Sequence, residues 1–387
     1  AIVAVPAPLV MGVVDDCAAA GIKSLVIISA GFAETGAAGA DLQHALVERV
    51  RNHGMRMVGP NCMGVLNATS GVRLNASFSP IMPSAGHVAL LSQSGALGIA
   101  IIELAIDLFL SHANGANIVY GGKTFTADDV KLILEAMDIW FVPCINPDGR
   151  AYVMTVDDLW RKNRRPNPNP NCMGVDVNRN ADIVWGVAQG QTSCSPCAET
   201  YCGPSAFSEP EGRNVRHLLD TLRVVSFVDV HSFSELVLYP WGHAPTQTTD
   251  PTKRFTGLTG GTCTASIPPA YKEYMPPVDQ QRFTTVAAHI VADIAAVRGR
   301  HYTPETAFTL YATTGTQSDY AYSRHVANPA ANKTYGFTFE TGPALADVRE
   351  SFHPVDPTLV KRDAKAAILS LMLSGSRVRV IWGRSYR

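Results

Sequence analysis

The first 91 residues alternate between short apolar runs and one amphipathic segment. Four runs rich in β-branched residues have the length and composition of buried parallel strands, and they lie at positions 2–5, 24–29, 55–58 and 87–91. Positions 41–53 carry Leu and Val at helical spacing and are followed by Gly54, a common residue at helix C-termini. Strands that alternate with helices predict a doubly wound parallel sheet, which is short of strands for a complete domain.

The pattern changes from about residue 106, where Asn, Thr, Ser, Pro and aromatic residues become more frequent. Strands are predicted at 139–144, 224–230 and 335–340, and helices at 126–137, 209–222, 283–298 and 357–374. The second region is therefore predicted to be an α/β domain of about 280 residues with long loops, where catalytic residues are often found.

Length, charge and hydropathy narrow the function classes. A chain of 387 residues with 46% hydrophobic residues favours two or three domains with sizeable cores. The formal net charge is −1, without the excess of basic residues that nucleic-acid binding normally requires, so we expect no nucleic-acid partner. No apolar stretch reaches transmembrane length, and the sequence opens without the charged region and cleavage site of a signal peptide. We therefore expect no membrane partner.

Half of the eight cysteines crowd into one polar stretch, at Cys172, Cys194, Cys197 and Cys202. The Cys-x-x-Cys spacing at 194–197 fits either a metal or redox pair or a disulfide in a surface loop. No second Cys-x-x-Cys and no nearby Cys/His pair completes a set of four ligands. The disulfide interpretation is favoured, and it implies an oxidising compartment for this half of the chain.

Two turns that follow predicted strands, at 58–65 and 91–97, are rich in small residues. Such turns either present backbone N–H groups to a phosphate or simply connect strand to helix. Together with Val-Pro-Ala-Pro at 5–8 and Ile-Ser-Ala-Gly-Phe-Ala at 28–33, Gly-Pro-Asn-Cys at 59–62 and Ser-Gln-Ser-Gly at 92–95 resemble the NDP-forming acyl-CoA synthetases of the succinyl-CoA ligase α-type.

This first resemblance covers about residues 1–105. It implies a partial CoA-binding Rossmann-like domain at 1–84, cytosolic in type, and the start of a succinyl-CoA-ligase-like domain at 85–105. The opening Gly-rich unit and the segment with the phosphorylated His of that family have no counterpart here. Ligase chemistry is therefore not expected, and CoA is a secondary candidate as a partner.

Two titratable residues end predicted strands in the second region. His231 follows the apolar run 224–230, and Glu340 closes 335–340. From the residues alone, His231 fits either a metal ligand or a structural histidine. Glu340 fits either a general base or a charge at a strand end. Arg161 and Arg179 fit either carboxylate binders or solvated surface arginines.

A second resemblance decides between these interpretations. Eight short motifs follow the order found in the secreted zinc carboxypeptidases of the A/B/T type. They are Asn-Pro-Asp-Gly at 146–149, Trp-Arg-Lys at 160–162, Gly-Val-Asp-Val-Asn-Arg-Asn at 174–180, Glu-Thr-Tyr at 199–201, Ser-Glu-Pro-Glu at 208–211, His-Ser-Phe-Ser-Glu at 231–235, Leu-Tyr-Pro-Trp-Gly at 238–242 and Phe-Thr-Phe-Glu at 337–340. The resemblance covers about 106–387. It implies a carboxypeptidase-like α/β domain with a mixed central sheet, extracellular, acting on peptide C-termini with Zn²⁺.

The resemblance also implies the catalytic residues. His231 would be the last zinc ligand, and Glu340 the general base acting on zinc-bound water. Arg161 would polarise the carbonyl of the bond that is cleaved.

The remaining implied positions bind substrate. Asn178 and Arg179 would hold the terminal carboxylate, and Tyr311 would close over it. Ser318 matches the position that helps to select the C-terminal side chain, and its neutrality argues against a preference for basic residues. Cys172 and Cys197 match the structural disulfide of the family. A second bridge between Cys194 and Cys202 is one of several pairings, since Cys144 and Cys263 leave it open.

The chain departs from this family at the first two zinc ligands, which form a His-x-x-Glu motif. No His-x-x-Glu occurs in the 387 residues, and its place is taken by 91–105 of the synthetase-like region. His112 and the two His-x-x-Asp pairs, at 217–220 and 353–356, lie in the wrong positions to replace it. The region therefore lacks its N-terminal part, and the join within 103–105 indicates a fusion of two partial genes.

Three hypotheses follow for function. The leading one is metallocarboxypeptidase-type hydrolysis of peptide C-termini, impaired because one His cannot hold zinc tightly. The second is a CoA- or nucleotide-binding module fused to an inactive peptidase scaffold. The third is a pseudoenzyme that binds peptide C-termini through Arg161, Asn178 and Arg179.

Overall fold

The computed structural model divides into two compact units, one formed by Ala1–Leu108 and Leu134–Cys144 and the other by Phe109–Ile133 and Ile145–Arg387. It describes residues 1–62, 64–67, 71–77, 144–254 and 271–354. It also describes the short strands Val88–Leu90, Ile118–Tyr120, Lys123–Phe125 and Ile139–Phe141 and the single positions 142, 267, 356, 363, 367, 370 and 371. All structural statements below concern these residues.

The first unit contains a three-stranded parallel sheet with helices on one face. Its elements are β1 (Ile2–Val3), α1 (Ala7–Ala19), β2 (Ser24–Ile27), α2 (Ala37–Asn52), β3 (Arg56–Val58), the antiparallel hairpin β4 (Gly64–Asn67) and β5 (Leu74–Ser77), and the parallel pair β6 (Val88–Leu90) and β9 (Ile139–Phe141). The order of the main sheet is β1-β2-β3. The predicted Rossmann-like parallel sheet is confirmed.

Alternation of side chains along the strands explains how the helices cover this sheet. Val3, Leu25 and Ile27 point to the same face and are buried in one cluster with residues of α1 and α2. From the helices, Val10, Val14, Leu46 and Val50 complete that cluster. Burial of apolar side chains on one face stabilises the unit by about 25 cal/mol for each Å² removed from water.

The turn after β3 depends on a glycine. Gly59 has φ +99°, and a Cβ built on it would lie 2.2 Å from the carbonyl oxygen of Ile27. Any side chain there would clash with the neighbouring strand end, so only glycine permits this close approach. The thiol of Cys62 donates to the same carbonyl, 3.4 Å away. The Gly-Pro-Asn-Cys motif is thereby packed against the carboxyl end of the sheet.

The second unit combines a mixed sheet with helices. Its further strands are β7 (Ile118–Tyr120), β8 (Lys123–Phe125), β10 (Ser226–His231), β11 (Leu236–Tyr239), β12 (Thr246–Gln247), β13 (Glu273–Tyr274), β14 (Thr303–Thr306) and β15 (Tyr335–Glu340). Its described helices are α3 (Pro147–Thr155), α4 (Pro210–Thr221), α5 (Pro277–Arg298), α6 (Ala307–Leu310), α7 (Gln317–Ala327) and α8 (Val348–Phe352).

The central sheet of this unit has the order β10-β15-β11-β14. β10 runs parallel to β15, whereas β11 runs antiparallel to β15 and parallel to β14. The mixed sheet predicted for this region is confirmed. All six residues of β15 are buried, and Phe337 and Phe339 pack into the core around Phe283 of α5. A buried central strand of this kind holds its last residue, Glu340, firmly in place.

Most predicted elements of this unit are present, with some changes in their bounds. β15 has the predicted bounds, α4 agrees within one residue, and β10 ends at His231 itself. α5 begins at Pro277, six residues before the predicted start, because a proline at the first helical position is favourable. The predicted helix 126–137 and most of 357–374 lie outside the described residues. No helix among those described is long and apolar enough to cross a membrane.

Candidate functional site

Two neighbouring parallel strands end in the residues His231 and Glu340. The two residues are paired in the register of β10 and β15. Nδ1 of His231 lies 3.6 Å from Oε1 of Glu340. The carboxyl ends of parallel strands are a common location of functional sites, because side chains from several strands meet there.

A third titratable residue, Asp229, contacts His231 from the other side. Oδ2 of Asp229 lies 3.0 Å from Nε2 of His231. Burial would lower the pKa of His231, but the negative charges of Asp229 and Glu340 outweigh this and raise the pKa to about 9. His231 is therefore an imidazolium between two carboxylates. Asp229 is not among the residues predicted from the sequence, although period-2 alternation places it on the same face of β10 as His231.

Glu340 is almost completely buried. Burial raises the pKa of its carboxyl group, and the positive charges of His231, Arg161 and Arg179 act against that increase. A buried carboxylate with a raised pKa is suited to accept a proton near neutral pH.

Arg161 is anchored by an ion pair with Asp176. Its Nη2 atom lies 2.8 Å from Oδ2 of Asp176, and 43% of its side chain is exposed. The negative charge of Asp176 raises the pKa of Arg161, and Tyr311 contributes in the same direction.

Arg179 is buried, so the alternative of a solvated surface arginine is wrong for it. Only 2% of the residue is exposed. Nε donates to the carbonyl oxygen of Gln191 at 2.6 Å, and Nη1 donates to that of Asn178 at 2.8 Å. Nη2 has no hydrogen-bond partner in the described part of the protein. A buried guanidinium with an unused donor is costly unless a ligand supplies an acceptor.

Asn178 lies in the 3-10 turn Val177–Arg179, which Asp176 caps by accepting a hydrogen bond from the Asn178 N–H at 3.1 Å. The side-chain oxygen of Asn178 accepts a hydrogen bond from the N–H of Gln317 at 3.0 Å. This bond ties the turn to the first residue of α7. Since Ser318 follows directly, the two predicted substrate-binding segments are joined.

Ser318 and Tyr311 complete the predicted set. Ser318 is buried, and its Oγ accepts a hydrogen bond from the hydroxyl of Thr338 on β15 at 3.0 Å. Tyr311 is 38% exposed and follows α6 directly. The structure thus places His231, Glu340, Arg161, Asn178, Arg179, Tyr311 and Ser318 within a single unit of the fold.

The disulfide between Cys172 and Cys197 is present, as predicted. Cys202, in contrast, is a buried thiol whose Sγ lies 3.8 Å from the carbonyl oxygen of Gly203. Burial raises the pKa of this thiol to about 11. The bridge between Cys194 and Cys202, one of several pairings that the sequence leaves open, is not the one formed, because Cys202 carries a thiol in the structure. Cys263 lies outside the described residues.

The donor set around His231 does not match a zinc site. Zinc in such sites takes three protein ligands that converge on one point. Here Asp229 engages Nε2 of His231 at 3.0 Å, and Nδ1 lies 3.6 Å from Glu340, beyond hydrogen-bond distance, so this cluster offers a metal one imidazole nitrogen and no second histidine. In the described ranges, no group of three His, Cys, Asp or Glu side chains could hold a metal ion. The residues that the structure describes therefore do not supply a zinc site.

Sequence comparisons match the two regions to two families. The family model for zinc carboxypeptidases matches residues 120–361, and that for the CoA binding domain matches residues 1–68. The first match covers more than half of the chain, which therefore belongs to the zinc carboxypeptidase family.

Individual relatives cover smaller portions. Carboxypeptidase B of Helicoverpa zea is 46% identical over 116 residues, which are 29% of this chain and 27% of the relative. Zinc carboxypeptidase of Simulium vittatum is 44% identical over 116 residues, 30% of this chain and 38% of the relative. Carboxypeptidase B of Bos taurus is 29% identical over 212 residues, 54% of this chain and 41% of the relative. The chain thus spans less than half the length of these relatives.

A solved structure supports the fold. Bovine thrombin-activatable fibrinolysis inhibitor, in complex with tick carboxypeptidase inhibitor, superimposes with a TM-score of 0.51 at 19% identity. The alignment covers 76% of this chain and 83% of that chain. At this identity the likeness establishes a carboxypeptidase-like fold alone.

Proposed function

We propose that the chain binds the C-terminal carboxylate of peptides in a metallocarboxypeptidase-type site whose hydrolytic step is impaired. The observation that carries the proposal is the state of Arg179, a buried guanidinium with two donors bound to backbone carbonyls and Nη2 unused in the described part of the protein. A peptide carboxylate would supply the acceptor that this guanidinium lacks. Asn178, Tyr311 and Arg161 would contribute further donors to the bound peptide, and Ser318 would contact its last side chain.

Impaired hydrolysis follows from the donors around His231. In the family, Zn²⁺ would activate a water molecule for attack on the peptide carbonyl. His231 would be one ligand of that ion and Glu340 the base, but the sequence contains no His-x-x-Glu to supply the other two ligands. One imidazole flanked by two carboxylates leaves binding as the function that the remaining residues support best. We infer that 91–105, which stands in place of the missing motif, belongs to a different family's sequence fused to a carboxypeptidase-like domain at about 106–387.

Calorimetric titration tests the binding claim. The probe is a blocked dipeptide with a free C-terminus, and its C-terminal amide serves as the paired ligand. The free acid is expected to bind at least about tenfold more tightly, since charge-assisted hydrogen bonds are among the stronger polar contacts. Arg179→Gln removes this difference, while Arg150→Gln, at an exposed arginine of α3, leaves it unchanged. Equal binding of acid and amide by the unmodified chain would refute the proposal.

A second candidate function concerns the first unit. The match of residues 1–68 to the CoA binding domain, together with the parallel sheet and the Gly59 turn, favours binding of CoA or a nucleotide. Separate titrations of the full chain with CoA and with the free-acid dipeptide distinguish the two candidates. If the peptide site exists, CoA should not change the affinity for the dipeptide. Saturable CoA binding without any peptide binding would support the second candidate and reject the first.

A further inference from the structure

Asp176 is a buried carboxylate between the two arginines of the proposed carboxylate site, and it is not among the residues proposed to contact the peptide. Its Oδ2 atom lies 2.8 Å from Nη2 of Arg161 and 3.9 Å from Nη1 of Arg179. Only 3% of Asp176 is exposed. Its charge is therefore directed at the two guanidiniums and is poorly screened by water.

The backbone around Asp176 fixes this carboxylate in place. Its N–H donates to the carbonyl oxygen of Tyr201 at 2.9 Å. Its Oδ1 accepts the N–H of Asn178 at 3.1 Å and so begins the turn that carries Asn178 and Arg179. Asp176 thus contacts Arg161 through Oδ2 and the turn that carries Asn178 and Arg179 through Oδ1.

The conformation of Arg161 depends more on Asp176 than that of Arg179 does. The side chain of Arg161 is 43% exposed, and a long exposed arginine loses considerable rotamer entropy when it is held in one conformation. The ion pair with Asp176 offsets that loss before any ligand arrives. Arg179, in contrast, is already held by two backbone carbonyls.

Asp176 could affect a bound carboxylate in two opposite ways: by ordering the arginines or by competing for their donors. Ordering is favoured by the distances. Asp176 lies 3.9 Å from Arg179 Nη1, beyond hydrogen-bond distance, so it uses none of the donors of Arg179. Nη2 of Arg179 stays without a partner in the described residues.

We propose that Asp176 is a positioning residue that holds Arg161 and the Asn178–Arg179 turn together as a pre-formed carboxylate site. This inference rests on the proposed function, because it concerns binding at the same residues. Pre-formation increases affinity because the ligand no longer has to order the side chains that bind it.

The isosteric variant Asp176→Asn separates charge from capping. The asparagine keeps an oxygen that can accept the Asn178 N–H, but it loses the charge that holds Arg161. We expect it to weaken binding of the free-acid dipeptide by about five- to tenfold, in line with the loss of one charge-assisted contact. Arg161→Gln is expected to weaken binding at least as much, because it removes the guanidinium itself. The double variant is expected to bind about as well as Arg161→Gln alone, since the charge of Asp176 acts through Arg161.

Asp182→Asn, at an exposed carboxylate six positions further along the chain, is the matched control and is expected to bind like the unmodified protein. Near-UV circular dichroism checks that each variant is folded. If Asp176→Asn is not folded, the loss of affinity in Arg161→Gln is used as the test instead. Tighter binding by Asp176→Asn would show competition and overturn the proposal. Unchanged binding would show that Asp176 acts only as a helix cap, and would overturn it as well.

A second measurement does not depend on the peptide. The rate at which phenylglyoxal modifies Arg161, followed by peptide mapping, reports how firmly that guanidinium is held. We expect faster modification in Asp176→Asn than in the unmodified chain or Asp182→Asn. If the dipeptide does not bind at all, the proposed function fails, and this rate still tests Asp176: equal rates in all three proteins would refute its effect on Arg161.

Discussion

His231 and Glu340 end adjacent parallel strands in register, with Nδ1 of the histidine 3.6 Å from Oε1 of the glutamate. Asp229 engages the other ring nitrogen at 3.0 Å. The histidine expected to bind zinc is therefore enclosed by two carboxylates. The proposed carboxylate-binding part of the site, around Arg179, keeps a buried donor that lacks a partner among the described residues. The proposed site thus combines an unused donor suited to a carboxylate with a poor donor set for zinc.

Metal content should depend little on His231. A single imidazole cannot replace a set of three ligands, because each missing ligand removes a large part of the binding free energy. We expect far less than one zinc per chain after dialysis against buffered Zn²⁺, both in the unmodified protein and in His231→Ala. His289→Ala, at an exposed histidine of α5, is the control. Stoichiometric zinc that is lost only in His231→Ala would contradict this account of the site.

Asp279 should stabilise the second unit in a pH-dependent manner. The buried carboxylate accepts hydrogen bonds from Lys333 Nζ at 2.8 Å and from the hydroxyls of Tyr322 and Tyr335, each at 2.8 Å. Burial alone would raise the pKa of Asp279, but these three hydrogen bonds outweigh it and lower the pKa. A lowered pKa means that the stabilisation is present above the unfolded-state pKa of about 4 and is lost as pH falls through the folded-state pKa.

Asp279→Asn is therefore expected to lower the free energy of unfolding by about 2–4 kcal/mol at neutral pH, because a partner of a buried ion pair is removed. Urea denaturation at about pH 7 and pH 3 measures the difference, which should shrink at the lower pH. Asp220→Asn, which breaks a more exposed ion pair with Arg324, should cost less than about 1 kcal/mol. A loss for Asp279→Asn that does not change with pH would count against the assigned cause.

The stability contributed by His243 should decrease as pH rises, opposite to the pH dependence expected for Asp279. It is fully buried, 3.2 Å from Oε2 of Glu273 and 3.5 Å from Oδ2 of Asp319, and Tyr271 also donates to Glu273. Burial alone would lower the pKa of His243, but the nearby carboxylates of Asp319 and Glu273 outweigh it and raise the pKa. A raised pKa gives stability that is complete below the unfolded-state pKa of about 6.5 and is lost as pH rises through the folded-state pKa.

The measurement for His243 is the free energy of unfolding of the unmodified chain and of His243→Gln across about pH 5 to 10. The difference between the two proteins should be largest at the acidic end and should decrease toward the alkaline end. His289→Gln serves as the control for exposed histidines. If the difference were constant or grew with pH, the imidazole would be neutral in the folded protein.

The disulfide between Cys172 and Cys197 closes a loop with a sequence separation of 25. Closing a loop of this length stabilises a protein by about 3 kcal/mol, chiefly by restricting the unfolded chain. We expect the Cys172→Ala/Cys197→Ala double variant to lose about this amount in denaturant unfolding. Cys17→Ala, at a cysteine of the first unit, should leave the unfolding of the second unit unchanged. An equal loss in both variants would argue against the bridge as the source of stability.

The sequence predicts the strand ends of the site well, because their signal is local. An apolar run that ends in a charged residue identifies β15 with its observed bounds and β10 within two residues. The buried state of Arg179 could not be predicted in this way, since it arises from carbonyl groups at Gln191 and Asn178 that only the folded loop brings near.

Residues that position other side chains of the site are harder to predict from the sequence than the strand ends are. Asp176 lies inside a motif used to infer the roles of Asn178 and Arg179, yet its contact with Arg161 spans 15 positions and has no local pattern. Asp229 could have been found from strand alternation, which places it beside His231. In the first unit, the sequence pattern does not predict α1, because its polar face is short and its apolar positions surround much of the helix.

The decisive measurement is turnover of the blocked free-acid dipeptide, with buffered Zn²⁺ present and on a preparation shown to bind that peptide. We expect saturable binding with no turnover above that of His231→Ala and Glu340→Gln, which lack the proposed ligand and base. Rapid turnover by the unmodified chain that disappears in both variants would show that hydrolysis is not impaired, because that result would require a complete zinc site.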